Sequence, residues 1–283
     1  MNYRHAFHAG GFADVLKHAT LVRILVHLLE KPAPFRVIDT HAGAGRYDLR
    51  TDEASRGGEW TNGIARLLSA AVPEPARLLL APYLEAVAPS NERVPLTAYP
   101  GSPLLAQALL RRHDRLIACE LEPNAAAALA RNLARDRRCK AIAIDGWTAL
   151  NAFIPPKERR GLVIIDPPFE APAEFARLRT AIEAALRKWA SGTYLIWYPL
   201  KERAPADRLG KILRARATAK ILRAELNVGG TSDAERLQAC GLILINPPWT
   251  LESELRTLLP ALAQALARGR GSGYRLDWLL RES

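Results

Sequence analysis

The sequence predicts a doubly wound α/β protein, and this prediction rests on three observations. Short apolar runs alternate with helical stretches along most of the chain. The first four of these runs are nearly all apolar before a polar last residue, as in parallel strands that are buried on both faces. Two of the runs end in almost the same corner, IIDPPFE at 164–170 and LINPPWT at 244–250. In such sheets ligands bind beyond the carboxyl ends of the strands, so the residues that end the strands are candidates for a site.

Seven runs are predicted to be strands of a mostly parallel sheet, with the last of them antiparallel. These strands are residues 35–40, 115–120, 140–145, 161–168, 193–199, 220–228 and 241–248. Helices are predicted at 123–136 and 172–190, between the strands. We expect a single domain over residues 1–283. A small helical subdomain is expected to be inserted at 50–98, where two helical runs lie among scattered prolines.

The first strand runs into a glycine turn, THAGAGRYD, which contains Gly43 and Gly45. In a dinucleotide fingerprint the third Gly or Ala would fall at Asp48, so the turn disfavours NAD. Glycine has no Cβ and lets the backbone approach a ligand closely. The turn therefore suits a nucleoside-type cofactor without phosphates.

Three successive predicted strands end in the carboxylates Asp39, Glu120 and Asp145. Three carboxylates at one edge of a sheet form a negatively charged site, which would repel the pyrophosphate of NAD or ATP. S-adenosylmethionine carries a sulfonium, an ammonium and a ribose diol, and it fits this edge. Glu120 is expected to bind the ribose and Asp145 the adenine amino group, while Glu122 is expected to cap the following helix.

The fourth strand delivers Asp166, Pro167, Pro168 and Phe169 to the same edge. The prolines lack N–H groups, so the backbone there presents only carbonyl oxygens. An exocyclic amino group would donate to the Asp166 carboxylate and to the Pro167 carbonyl, with its lone pair aimed at the methyl group. Asp166 would stabilise the charge that develops on nitrogen and take the proton. Phe169 would stack on the base, a contact worth about 1–3 kcal/mol. The candidate catalytic residues are Asp166, Pro167 and Phe169.

The second corner, which begins at Asn246, is predicted to be structural. Its strand is expected to be antiparallel, so its end would point away from the cofactor edge. Asn also lacks the charge with which Asp would stabilise the transition state and accept a proton. Trp249 is expected to pack on the core.

Charge favours a polyanionic partner. The 283 residues include 40 Lys and Arg against 29 Asp and Glu, a formal net charge of +11. The excess is clustered in four runs, 111–115, 131–140, 156–160 and 208–223. One such run is commonly a solvated helix face, but together they favour phosphate binding by RNA or DNA.

Cysteine usage and hydropathy favour a cytoplasmic protein without a membrane segment. Cys119, Cys139 and Cys240 form no CxxC pair, which argues against a zinc site and against a disulfide framework. No stretch approaches the ~18 uninterrupted apolar residues of a membrane span. The opening MNYRHAFHAGG lacks the apolar core of a signal peptide. Its histidines and His18 lack the close pairing typical of zinc ligands, so no metal is expected.

The N-terminal segment combines aromatic and basic residues ahead of Gly10 and Gly11, which are expected to act as a hinge. Such a tail suits a flap that closes over an unpaired base, with Tyr3 stacking and Arg4 meeting phosphate. The alternative is a tail that simply covers the first helix.

These motifs together resemble the ribosomal RNA large subunit methyltransferase J family. The likeness rests on MNYRHAFHAGGFADVLKH, DTHAGAGRYDL, YPGSP (99–103), ELEP and IDPPFE, which occur in that order over nearly the whole chain. It implies a Rossmann-like S-adenosylmethionine-dependent methyltransferase fold. It also implies methyl transfer to the N6 amino group of an adenosine in 23S rRNA, with S-adenosylhomocysteine as the second product.

The resemblance also implies site residues. The expected cofactor-binding residues are His18, His41, Gly43, Ser102, Glu120, Asp145, Gly146 and Asp166. Of these, Gly43 comes from the glycine turn and the other seven from the resemblance. The residues expected to contact the RNA are Tyr3, Arg4, His5, Lys17 and Phe169. Many members have Tyr where this chain has Phe169, a change that preserves stacking.

Two alternatives remain open at this point. A DNA adenine N6-methyltransferase would share the cofactor motifs, but such enzymes usually need a larger recognition domain than the insertion at 50–98. A non-catalytic RNA-binding protein on a methyltransferase fold is disfavoured by the intact Asp166, Glu120 and glycine turn. No obligate protein partner is evident, and we expect a monomer.

Overall fold

The computed structural model describes residues 7–88, 96–171, 173–216, 219–230 and 237–281. In chain order the elements are α1 (Phe12–Leu29), β1 (Arg36–Asp39), β2 (Arg46–Asp48), α2 (Asp52–Gly57), α3 (Ile64–Ser69), α4 (Glu74–Val87), β3 (Ala98–Pro100), α5 (Ser102–Leu109), β4 (Arg115–Glu120), α6 (Pro123–Leu133), β5 (Cys139–Ala143), α7 (Gly146–Phe153), β6 (Gly161–Ile165), α8 (Glu174–Lys188), β7 (Thr193–Pro199), α9 (Arg203–Arg216), β8 (Ile221–Asn227), β9 (Ala239–Ile245), α10 (Leu251–Ala265) and β10 (Gly273–Leu280). Within these residues no helix combines the length and apolarity that crossing a bilayer requires.

Eight strands form one sheet in the order β10-β8-β9-β7-β6-β1-β4-β5. The five strands from β5 to β7 in this order are parallel, whereas β9 runs antiparallel to both of its neighbours. The predicted mostly parallel sheet is confirmed, and its seven predicted strands are all present. The eighth, β10, was missed because it is an edge strand whose side chains are mostly half-exposed and so give no apolar run.

The core lies on both faces of the sheet. In β6, Leu162 and Ile164 face the cluster formed with α1, α4, α5, α6 and α10, while Val163 and Ile165 face the cluster formed with α7, α8 and α9. This alternation explains why the strand sequence is apolar at every position. One of the four strands expected to be buried on both faces, β5, is instead a half-buried edge strand.

The direction of β9 separates the two Pro-Pro corners. Ile245, at the end of β9, pairs with Tyr194 near the start of β7. The carboxyl end of β9 therefore lies at the edge of the sheet opposite to the carboxyl ends of β1, β4, β5 and β6. This arrangement matches the direction predicted for that strand.

Three helices, α2, α3 and α4, lie between the short paired strands β2 and β3. The two helical runs predicted in this stretch are α3 and α4. Ile64 of α3 and Tyr83 of α4 are fully buried in the same core cluster as α1. Helices α3 and α4 are thus packed on the main body, and the separation of 50–98 as a subdomain stays a proposal.

Candidate active site

A pocket of about 560 Å³ opens where β1, β4, β5 and β6 end. It is lined by every residue predicted to bind the cofactor, namely His18, His41, Gly43, Ser102, Glu120, Asp145, Gly146 and Asp166. Strand ends alone pointed to three of them, because parallel strands bring their carboxyl ends to one edge. His18 and Ser102 come from α1 and α5, and only the motif resemblance pointed to them.

The glycine turn after β1 holds the carboxylate of Glu120. Gly43 has φ of +61° and its N–H donates to Glu120 Oε2 at 2.8 Å. Glu120 Oε1 accepts from the N–H groups of Leu121 and Glu122, both at 2.8 Å. A carboxylate has roughly four acceptor positions, so these three donors leave about one for a ligand. The side chain is fixed in direction before any ligand arrives.

Asp39 has a different place from the one expected. It is fully buried beneath the pocket and does not line it. Its Oδ2 accepts from the Ser102 hydroxyl at 2.6 Å, and burial raises the pKa of Asp39 to about 6. Asp39 therefore supports Ser102, and the expectation that it belongs to the negative lining is wrong.

His41 and Gly146 form a tightly packed wall. A Cβ at Gly146 would overlap the Thr40 carbonyl and the His41 ring, so no other residue fits there without movement. Burial lowers the pKa of His41 to about 4, so its imidazole is neutral at physiological pH. The ring also meets Trp147 edge-on, with centroids 5.2 Å apart.

Asp145 caps α7, accepting from the Thr148 N–H at 2.9 Å. Arg177 of α8 lies 3.4 Å from its other oxygen and stands 5.3 Å from the Trp147 ring. Sequence reasoning did not assign Trp147 or Arg177 to the site, although both line the pocket. Trp147 follows a predicted strand end and could have been assigned to the site from the sequence. Arg177 is 32 residues away in sequence from its partner Asp145, and no sequence signal indicates it.

Asp166 follows β6 and is held by Lys17. The Lys17 ammonium bonds Asp166 Oδ2 and lies 2.9 Å from Asp14 Oδ1. No donor among the described residues bonds Asp166 Oδ1. Burial alone would lower the pKa of Lys17, but the two carboxylates outweigh it and hold that pKa well above its usual value. Lys17 is only 4% exposed, so the structure shows it as the partner of Asp166, with little surface left for RNA phosphate.

The remaining residues of the first corner lie close by. Pro168 lines the pocket, while Pro167 is buried and Phe169 is half-buried beyond the lining. Phe169 has φ of +51°, and its ring packs on Phe175 and Trp197 at centroid distances of 4.8 and 5.8 Å. One part of this ring is therefore used in packing, and its stacking on a base stays a prediction.

The second corner is a structural turn at the opposite edge. Asn246 has φ of +48°, a region that Asn tolerates better than most residues. Its Nδ2 donates to the carbonyls of Ala190 and Gly192 at 2.7 and 2.8 Å. Trp249 is 83% exposed, so its predicted packing on the core is wrong. The chain turns into α10 after the prolines, and Leu251 enters the core there.

These contacts predict unequal effects at the two positions. Trp249→Ala should change the free energy of unfolding by at most about 0.5 kcal/mol, as for other exposed sites. Asn246→Ala should cost roughly 2–4 kcal/mol, because it removes two hydrogen bonds and places Ala in the left-handed region. Urea unfolding of both variants measures the difference. A Trp249→Ala variant that is the less stable of the two would contradict this interpretation.

The glycine pair near the N-terminus is docked and does not form a hinge. Gly10 and Gly11 are both buried. The Gly10 carbonyl accepts from the Ile64 N–H at 2.8 Å, and the Gly10 N–H donates to Asp14 Oδ2 at 3.0 Å. The predicted hinge at these glycines is therefore wrong, since their backbone groups are bonded to α1 and to the inserted helices.

The inserted helices are shaped to receive this segment. A Cβ at Gly57 would overlap the Phe7 carbonyl, and one at Gly63 would overlap the Gly10 carbonyl. The predicted RNA-contacting residues Tyr3, Arg4 and His5 lie outside the described residues. The flap hypothesis stays a prediction, and it now concerns residues 1–6 alone.

Comparison with known proteins agrees with the motifs. A family model described as "Ribosomal RNA large subunit methyltransferase D, RlmJ" matches residues 32–280. Over the full length of both chains, the sequence is 39% identical to ribosomal RNA large subunit methyltransferase J of Haemophilus influenzae and 40% identical to that of Escherichia coli K12. The crystal structure of protein LPL1258 from Legionella pneumophila is 34% identical, with a TM-score of 0.86 over 95% of this chain and 98% of that one. The resemblance seen in the sequence is confirmed, and this chain belongs to the ribosomal RNA large subunit methyltransferase J family.

Proposed function

We propose that this protein transfers a methyl group from S-adenosylmethionine to the N6 amino group of an adenosine in 23S rRNA. The observation that carries the proposal is Asp166, which lines the pocket with Oδ2 held by Lys17 and with no described donor on Oδ1. The relatives matched over their whole length are named as methyltransferases of the large ribosomal subunit RNA.

The pocket fits a cationic cofactor without phosphates. Its charged lining consists of seven carboxylates and three cations: Asp48, Glu53, Glu120, Glu122, Asp145, Asp166 and Glu174 against Lys17, Arg46 and Arg177. His41 is neutral at physiological pH and adds no positive charge. When bound, S-adenosylmethionine supplies a methyl group on a positively charged sulfur, which this excess of carboxylates favours.

Glu120 is proposed to accept from the ribose. Glu120→Gln should weaken S-adenosylhomocysteine binding by about 10- to 100-fold, because a hydrogen bond to a charged acceptor is worth about 1.5–3 kcal/mol. Isothermal titration measures this loss. Glu85→Gln is the matched control, since Glu85 is exposed on α4 and does not line the pocket. Equal loss of affinity in the two variants would contradict the assignment of Glu120.

The transfer step follows from the geometry of the first corner. Asp166 Oδ1 accepts one N6–H of the adenine, and the Pro167 carbonyl accepts the other. Asp166 stabilises the positive charge that develops on N6 and then takes the proton. Lys17 fixes the other carboxylate oxygen, so Oδ1 keeps its direction. The base stacks on the Phe169 ring.

The RNA is proposed to meet the protein through Tyr3, Arg4 and His5 and through part of the basic surface. Not every basic run is available for this purpose. Arg111 pairs with Asp114 and Arg138 with Asp136, each through several hydrogen bonds. The positive charge predicted from sequence is therefore partly neutralised within the chain.

The test is incubation with labelled S-adenosylmethionine and total nucleic acid from a strain lacking the protein, followed by nucleoside analysis. We expect N6-methyladenosine in large-subunit rRNA. Separate arms with naked 23S rRNA and with assembled subunits identify the form of the substrate. Label found only in duplex DNA would favour the DNA adenine N6-methyltransferase alternative. Label in methylated cytosine or ribose would contradict the assignment of N6.

A cytoplasmic location and a monomeric state complete the proposal. Ribosomal RNA of bacteria such as the two named relatives is made in the cytoplasm, which supports the first. The monomeric state stays an expectation from the sequence.

A further inference from the structure

A buried carboxylate that has no assigned role in the site forms an ion pair with Lys17. Asp14, in the first turn of α1, is 3% exposed. Its Oδ1 lies 2.9 Å from the Lys17 ammonium, and its Oδ2 accepts from the Gly10 N–H at 3.0 Å. The Asp14 carboxylate thus connects the Lys17 ammonium to the backbone N–H of Gly10, just before α1.

Asp14 also begins a line of buried polar groups that leads to the inserted helices. His18 Nε2 lies 3.7 Å from Asp14 Oδ1, and His18 Nδ1 lies 2.7 Å from the Tyr99 hydroxyl. Tyr99 in turn meets the Tyr83 hydroxyl of α4 at 2.8 Å. All these side chains are almost completely buried. Asp14 therefore lies between Lys17 and a buried polar cluster formed by His18, Tyr99 and Tyr83.

The Lys17 ammonium has two carboxylate partners in the described structure, Asp14 and Asp166. With both partners present, the ammonium is held between them and Asp166 Oδ2 has a fixed place. With Asp14 absent, the ammonium would be free to move around Asp166, and the direction of Oδ1 would no longer be set.

We propose that Asp14 is a positioning residue for methyl transfer: it holds Lys17 so that Asp166 keeps Oδ1 aimed at the amino group of the substrate. The inference rests on the proposed function, because it concerns the same carboxylate. Asp14 does not itself line the cofactor pocket, and it acts on the site through Lys17, which does.

The variant Asp14→Asn tests this role. The Asn oxygen can still accept from the Gly10 N–H, but its amide then presents N–H groups to the Lys17 ammonium. We expect the rate of transfer at saturating substrates to fall roughly 10- to 100-fold, as for a misplaced reacting group. The affinity for S-adenosylmethionine and the KM for RNA should change little, because Asp14 is buried and does not line the pocket.

The pH profile separates positioning from a loss of stability. Within the part of the chain that the structure describes, other ionisable groups near Lys17 include Asp39, His18, Tyr47, Tyr83 and Cys240. Burial raises the pKa of both tyrosines and of Cys240, so these three stay neutral at alkaline pH. Loss of one close carboxylate should lower the pKa of Lys17, so the rate of Asp14→Asn should begin to fall at a lower alkaline pH than that of the wild type.

Thr20→Ala is the matched control on the same helix. Thr20 is 1% exposed and donates to the Leu16 carbonyl at 2.8 Å, away from the line of polar groups. This control should lose stability but keep the wild-type pH profile. An Asp14→Asn variant whose rate and pH profile match the wild type overturns the inference, as does one that fails through weaker substrate binding. Failure of the wild type to methylate rRNA would instead overturn the proposed function.

Discussion

Asp166→Ala is expected to lower the rate of methyl transfer by about 10³-fold or more while the protein stays folded. The variant loses both the acceptor that orients the amino group and the charge that stabilises the transition state. Stability should change little, because Lys17 keeps its second carboxylate partner, Asp14. Binding of S-adenosylmethionine should largely persist, since most of the effect belongs to the transition state. Single-turnover kinetics with saturating cofactor, together with titration of S-adenosylhomocysteine, measure the two quantities separately.

Asp166→Asn is the informative companion variant. Asn retains an oxygen that can accept one hydrogen bond, but it has no negative charge and takes no proton at physiological pH. If charge dominates, this variant should be nearly as slow as Asp166→Ala. An Asn variant with close to wild-type activity would show that orientation alone is the role of Asp166.

Lys17→Met is expected to destabilise the protein by about 3–5 kcal/mol, the usual cost of breaking a buried ion pair from one side. Met keeps a flexible apolar side chain of similar length, so the change mainly removes the ammonium. Asp14 and Asp166 would then lie in the same buried region without the cation between them. Methyl transfer should fall as well, because Asp166 loses the group that holds Oδ2. Urea unfolding and transfer assays on the folded fraction measure the two effects.

A double variant checks the origin of this loss. Asp14→Asn combined with Lys17→Met removes one of the two unpaired charges, so it should be more stable than Lys17→Met alone. Simple addition of the two single losses would contradict a direct interaction between these side chains. A Lys17→Met protein with wild-type stability would mean that the ion pair contributes nothing to the fold.

The pocket was predictable from sequence where its residues end parallel strands. Glu120, Asp145 and Asp166 belong to this group, because strand order is not needed to know that parallel strands share an edge. Asp39 has the same sequence pattern as these three, yet it is buried under Ser102, which is 63 residues away in the chain. A polar residue at the end of a strand predicts which edge of the sheet it lies at, but not whether another residue buries it there.

Contacts between residues that are distant in the chain could not be predicted from the sequence. Lys17 and Asp166 are separated by 149 residues, and nothing local to either one indicates the pairing. The error at Trp249 has a related cause, since a large aromatic residue after a strand is usually buried, and only the path of the following helix exposes it. The docking of Gly10 on Ile64 likewise depends on an insertion whose placement the sequence does not give.

The order of the strands along the chain sets the order in which the pocket is completed during translation. β1, β4 and β5 are neighbours in the sheet and are all synthesised by residue 143, and Asp145 and Gly146 follow at once. Domains are made from the N-terminus onward, so the cofactor half of the pocket leaves the ribosome before Asp166 does. A nascent chain that stops at residue 150 carries Glu120 and Asp145 but no carboxylate to take the proton. The ribosome that makes this chain is therefore not exposed to a complete pocket before Asp166 has emerged.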